Sequence, residues 1–183
     1  MRRREFVEQV AGSSVAGVFG ATLADLEAAG RFAAAIPVEQ PYEFLTVDQV
    51  RLLDAVTAQI VPTDDTPGAR EAHVVRFIDH ALATFFAPRR ANLVLAMTEL
   101  VTFTKAWRPG NAPFEQCIVG DQVSILQDFE RAKPVPFRVF RNLTMAGMFS
   151  HPEHGGNFGR VGWQMIGYKD QYSWAPPFGF YDR

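Results

Sequence analysis

The residues closest to chemistry sit in one short stretch, HPEHGGNFGRVGWQMIGY, residues 151–168. His151 and His154 stand three positions apart, with Glu153 between them and Asp170 beyond, which is raw material for a metal site. A metal centre needs three or four ligands converging on one point, and two loop histidines supply half of that. The same stretch holds Gly155, Gly156, Gly159, Gly162 and Gly167, a density that invites a phosphate loop. Phosphate cradles follow G-x-G-x-x-G after a strand, or G-x-x-x-x-G-K-[ST], and neither spacing occurs here. Glycine in such runs more often supplies left-handed backbone, or lets two backbones approach closely.

Other chemistry finds less support. No G-x-S-x-G elbow is present, and Cys117, the one cysteine, has no nucleophile signature beside it. A single thiol excludes an internal disulfide and an iron–sulfur cluster held by this chain alone. Cys117 reads as a small apolar residue or, in an exported protein, as a thiol for another chain. His73 and His80, seven apart, are expected on one helix face two turns apart, an arrangement more typical of a core edge than of an acid–base pair. Asp64, Asp65 and Thr66 cluster at a turn, but the alternating oxygen ligands of a calcium loop are missing, so capping accounts for them better. Two readings of residues 151–168 stay open. One is a surface shaped to dock another protein, with Trp163 and Tyr168 as anchors and the Asn157 side chain tying the turn down. Another is a stand-alone metal-dependent enzyme using His151 and His154. A third reading of the chain is a sugar-binding module in which the aromatic tail forms a stacking cleft.

The elements that must position this stretch read as helices. LTVDQVRLLDAVTAQIVP opens with a capping box, Thr46 and Gln49, and carries Val50, Leu53, Val56, Thr57 and Ile60 on one face. Pro67 is expected near the start of a second helix with the stripe Val74, Phe77, Ile78, Ala81 and Leu82. A third is expected over Arg89 to Trp107, ended by Pro109 and Gly110. A fourth has Asp121 as its cap and Val123, Leu126 and Phe129 inward, until Pro134 and Pro136 break it. A fifth runs through Phe137, Phe140, Leu143, Thr144 and Met148. No alternating strand pattern or repeat is evident. The expected fold is all-α, a compact domain of about five helices with an irregular tail rich in glycine and aromatics.

Bulk properties narrow the partners. The chain has 183 residues, 48% hydrophobic and 21% charged, enough for one domain with a proper core. A net charge of -2 makes neither nucleic acid nor an anionic membrane surface an electrostatically favoured partner. From Trp163 to Arg183, seven of twenty-one residues are aromatic, and Pro176-Pro177 holds part of that tail extended. Such a tail either folds back over its own helices or lies along another protein, since exposed it would invite aggregation.

Residues 1–35 read as a leader. Arg3, Arg4 and Phe6 form the R-R-x-F core of a twin-arginine export signal, followed by a mild apolar stretch from Val10 to Leu23 that is too short to span a membrane. Ala33 to Ala35 offer a small-residue cleavage site. Glu8, Asp25 and Glu27 fit such a signal less well, and the alternative is a basic N-terminus that stays in the cytoplasm. A twin-arginine route carries folded cargo, yet the chain shows no cofactor motif of its own.

Two blocks, LTVDQVRLLDAVTAQIVPTDDTPGAREAHVVRFID and MFSHPEHGGNFGRVGWQMIGY, resemble the gluconate 2-dehydrogenase subunit 3 family. The resemblance covers roughly Leu45 to Tyr168, together with the twin-arginine leader. One signature is carried by Pro62, Asp64, Asp65, Thr66, Pro67, Gly68 and Ala69; the other by Gly155, Gly156, Asn157, Gly162, Trp163, Ile166, Gly167 and Tyr168. The resemblance implies a non-catalytic small, or gamma, subunit of a periplasmic flavin-dependent sugar, glycoside or polyol dehydrogenase. The partner it implies is a large subunit of the glucose–methanol–choline (GMC) oxidoreductase type, which holds the FAD; electrons then leave, often through a cytochrome c subunit. It implies that this chain binds no cofactor, helps the large subunit fold and carries it through the export route. On that basis residues 36–170 form the helical small-subunit domain, and residues 171–183 form an aromatic extension on the partner. The expected interface comprises His151, Gly155, Gly156, Asn157, Trp163 and Tyr168 in the loop, with Tyr172, Trp174, Phe178 and Tyr181 in the extension.

Overall fold

The computed structural model describes residues 41–107 and 112–170. The leader with Arg3, Arg4 and Phe6, the Pro109-Gly110 helix stop and the aromatic extension with Tyr172, Trp174, Phe178 and Tyr181 lie outside the described residues. The described part holds six α-helices and no strand: α1 Val47–Ile60, α2 Val74–Ala83, α3 Arg90–Trp107, α4 Val119–Ala132, α5 Pro134–Phe149 and α6 Val161–Met165.

The order of the bundle follows from α5, which packs against every other described helix. Phe140, Leu143, Thr144 and Met148 along it are buried, and the Thr144 hydroxyl donates to the Phe140 carbonyl oxygen at 2.8 Å. That bond lets a polar residue sit at 0% exposure without an orphaned donor. Around α5 gather Leu53 and Val56 from α1, Phe77 and Ile78 from α2, Leu93 and Leu100 from α3, and Ile125 and Phe129 from α4. Burying each such side chain contributes on the order of 1.5–3 kcal/mol, which is what makes short helices stable here.

Local chemistry sets the helix ends. The Thr46–Gln49 capping box forms: Gln49 N–H donates to Thr46 Oγ1 at 3.4 Å and Thr46 N–H to Gln49 Oε1 at 2.9 Å. Helix α2 begins at Val74, later than Pro67 suggests. The intervening chain is folded into a turn in which Gly68 N–H donates to Glu71 Oε2 at 2.7 Å and Ala69 N–H to the Val61 carbonyl at 2.9 Å. Asp64 Oδ1 accepts from Thr66 N–H and hydroxyl, at 3.0 and 3.1 Å, so this acid does hold a turn together.

Helix α4 differs from its sequence reading. Ile118 is its N-cap with no side-chain cap bond, and Asp121 lies inside the first turn. Gln122 is buried in place of Val123, which is 37% exposed. Two hydrogen bonds draw Gln122 inward: it accepts from Gln59 Nε2 at 2.8 Å and donates to the Phe114 carbonyl at 3.0 Å. Pro134 does more than break α4: it opens α5, where a missing N–H costs nothing.

The segment leading into α1 is fastened to α2. Asp79, 3% exposed, accepts the N–H groups of Glu43, Phe44 and Leu45 at 2.7, 2.9 and 2.8 Å. Next to it His80 Nδ1 lies 3.2 Å from Glu43 Oε1. Arg76 stacks over the Tyr42 ring at 3.9 Å and Arg90 over Phe44 at 5.0 Å.

Candidate functional site: the loop that caps α5

A helix leaves its last four carbonyls without intrahelical partners. At the end of α5 the following loop turns back and supplies partners to three nearby carbonyls. Asn157 N–H donates to Gly147 O at 2.8 Å, Trp163 Nε1 to Phe149 O at 2.9 Å, and Asn157 Nδ2 to Ser150 O at 3.0 Å. Asn157 Oδ1 then accepts Gly162 N–H at 2.8 Å, closing the loop on itself. Asn157 is 0% exposed, and its left-handed φ of 46° is one that asparagine tolerates better than most residues.

Two glycines make this return possible. A Cβ on Gly156 would lie 2.3 Å from Gly147 O, and one on Gly162 would lie 1.9 Å from Met148 O. No side chain can occupy either place without moving backbone. Gly155, at φ 85°, ends the short 3-10 turn Pro152–His154 with a backbone that glycine adopts without strain.

The loop also grips the start of α2. Phe158 N–H donates to Ala72 O at 3.2 Å, and the Phe158 ring stacks on His73 with centroids 4.3 Å apart. His73 is itself left-handed, φ 54°, at the N-cap of α2. It therefore does not share a helix face with His80, which points to Glu43.

Of the interface residues expected from sequence, Gly156, Asn157 and Trp163 make internal contacts; Trp163 is 8% exposed. They shape the loop. His151 and Tyr168 lie against Trp163 from outside, with ring centroids 5.4 and 5.0 Å away. Tyr168 is 47% and Phe158 57% exposed, and Arg160 reaches over Trp163 at 5.8 Å while pairing with Asp170 at 3.3 Å. Phe158, Arg160 and His73 also belong to this surface, and the sequence pattern does not mark them individually. The one signal was a large aromatic set among glycines.

The histidines do not converge on a metal. His151 Nδ1 accepts Glu153 N–H at 3.4 Å and lies 3.5 Å from the Glu153 carboxylate. His154 is buried beside Phe85, and burial, reinforced by the charge of His151, holds it below the usual histidine range. Burial and then Arg76 lower His73 in the same sense. Among the described residues, no group of three or more His, Cys, Asp or Glu could hold a metal ion, and no helix is long and apolar enough to cross a membrane.

The described residues thus form a helical bundle whose central helix is capped by a glycine-pinned loop carrying exposed aromatics. The family described as Gluconate 2-dehydrogenase subunit 3 matches residues 47–170, well over half of the chain. The chain belongs to this family and, with it, to the subunits of multi-subunit dehydrogenase complexes. No curated protein and no solved structure matches it.

Proposed function

We propose that this chain is the non-catalytic small subunit of a periplasmic FAD-dependent dehydrogenase acting on a sugar, glycoside or polyol. It assists folding of a large GMC-type subunit, stabilises it, and supplies the twin-arginine signal for both. The FAD belongs to that partner, and a cytochrome c subunit takes the electrons onward. The observation that carries this reading is the loop 151–168: its internal hydrogen bonds go to capping α5, while His151, Phe158 and Tyr168 are held outward as a fixed surface. Its physical logic is preorganisation, since a surface ordered before binding loses little entropy on docking. Gly155, Gly156, Asn157 and Trp163 support that surface from within, and residues 171–183 are the further contact we assign to the partner.

Export is the direct test. Replacing Arg3 and Arg4 together by lysine should leave flavin-dependent dehydrogenase activity in the cytoplasmic fraction and deplete it from the periplasm. Unchanged periplasmic activity would remove the export role.

A further inference from the structure

Helix α3 presents an outer face that carries no charge. Val94, Leu95, Thr98, Val101 and Thr102 are exposed along it, three and four positions apart, so they line one side of the helix over about 12 Å. The exposed sides of α1, α4 and α5 carry charge instead, through Asp48 and Arg51, Glu130 and Arg131, and Arg138. Both threonine hydroxyls on the stripe are already spent on their own helix. Thr98 Oγ1 donates to Val94 O and Thr102 Oγ1 to Thr98 O, each at 2.9 Å. Covering this face therefore leaves no hydroxyl donor unpaired. Glu99, the one acid of α3, pairs with Lys133 at 2.9 Å.

The size of a stable interface calls for such a face. A lasting complex buries about 800 Å² on each partner, with roughly 20–30 residues a side. The capping loop, residues 151–168, has eighteen residues in all, and Asn157, Gly162 and Trp163 among them are buried. It cannot fill that number. A second copy of the chain suits α3 poorly, because a two-fold pairing about Thr98 sets each Lys105 beside the other copy's Arg89, Arg90 and positive helix end. A lipid surface asks for several basic residues flanking the stripe. Helix α3 has Lys105 near its end and Arg90 at its start, and Arg90 is bound to the Leu82 and Ala83 carbonyls. An apolar surface of another subunit meets both demands: it matches the uncharged stripe, and an acid at its end meets Lys105.

We infer that the outer face of α3 is a second docking surface, taking an uncharged apolar helix of the larger subunit with a carboxylate set against Lys105. The spacing of the stripe suits a helix, whose own ridges repeat every three and four residues. This role rests on the chain being a subunit of the complex proposed above, and it belongs to a different element from the capping loop.

Photo-crosslinking from position 95, in the complex isolated from its native host, tests it. Leu95 is 58% exposed, so its replacement leaves the helical core intact. The expected product is a link to the larger, flavin-bearing polypeptide. A link within the same chain, residues 1–40 included, a doubled mass from a second copy, or no link at all would each overturn the assignment. Leu95→Asp should weaken retention of that polypeptide roughly tenfold in Kd, the scale of one interface anchor, while Leu95→Met keeps it. Equal retention by Leu95→Asp and the wild type overturns the α3 surface and leaves the subunit role standing. A wild-type chain that retains no larger polypeptide overturns both.

Discussion

Asn157 and Gly162 are joined side chain to backbone inside the loop, Asn157 Oδ1 accepting Gly162 N–H at 2.8 Å. With the other end of the same amide bound to Ser150 O, one buried residue spans the end of α5 and the start of α6. Asn157→Ala leaves a buried carbonyl and a buried N–H unpaired, which should cost about 2–4 kcal/mol in urea unfolding. A loss below about 1 kcal/mol would show that water replaces the amide at no penalty.

The glycine seam gives a sharper contrast. Gly162→Ala drives a methyl group to 1.9 Å from Met148 O, and loss of more than about 3 kcal/mol is expected because backbone must separate. Gly120→Ala in α4, where nothing lies within 4 Å of the new Cβ, should instead stabilise by roughly 0.5–1 kcal/mol. Equal effects of the two changes would refute the close approach.

Much of this architecture was legible beforehand. The α1 capping box is a local pattern, and its residues bond as their types require. The inward face of α5 was also readable from its period. Helix α4 departs from its sequence pattern because Gln122 is pulled inside by Gln59, sixty-three positions away in sequence, and no periodicity reports a long-range amide pair. Helix α2 starts later than Pro67 signals because the turn at Gly68 uses side-chain and cross-loop acceptors that a proline signal does not reveal. In the loop, glycine density told of close approach, but only the fold shows that Trp163 faces α5 and that Phe158 is the exposed ring.

The fastening of residues 43–45 should prove structural. Asp79→Ala removes the acceptor of three N–H groups and should cost about 3–5 kcal/mol, with faster hydrogen exchange at Glu43, Phe44 and Leu45. Exchange at those amides as slow as in the wild type would contradict the assigned bonds.

Acid should weaken the fold. His154 and His73 are both held below 6.5 in the native chain, chiefly by burial, so the unfolded chain takes up their protons first as pH drops. Their contribution is complete above pH 6.5 and is lost as pH falls through the lowered native values. Glu71, held below 4.5 first by the Thr63 hydroxyl, adds a loss of the same sign at lower pH. The Tm measured over a pH series should decline below 6.5, and His154→Gln should flatten the first part of that decline. A Tm that rises on acidification through this range would contradict the assignment.

Isolating this chain from its native host under mild conditions tests its role most directly. The tagged chain should bring down a larger polypeptide with the absorbance of oxidised flavin and dehydrogenase activity toward a sugar or polyol. A colourless, well-behaved single chain, with no larger polypeptide attached, would contradict it.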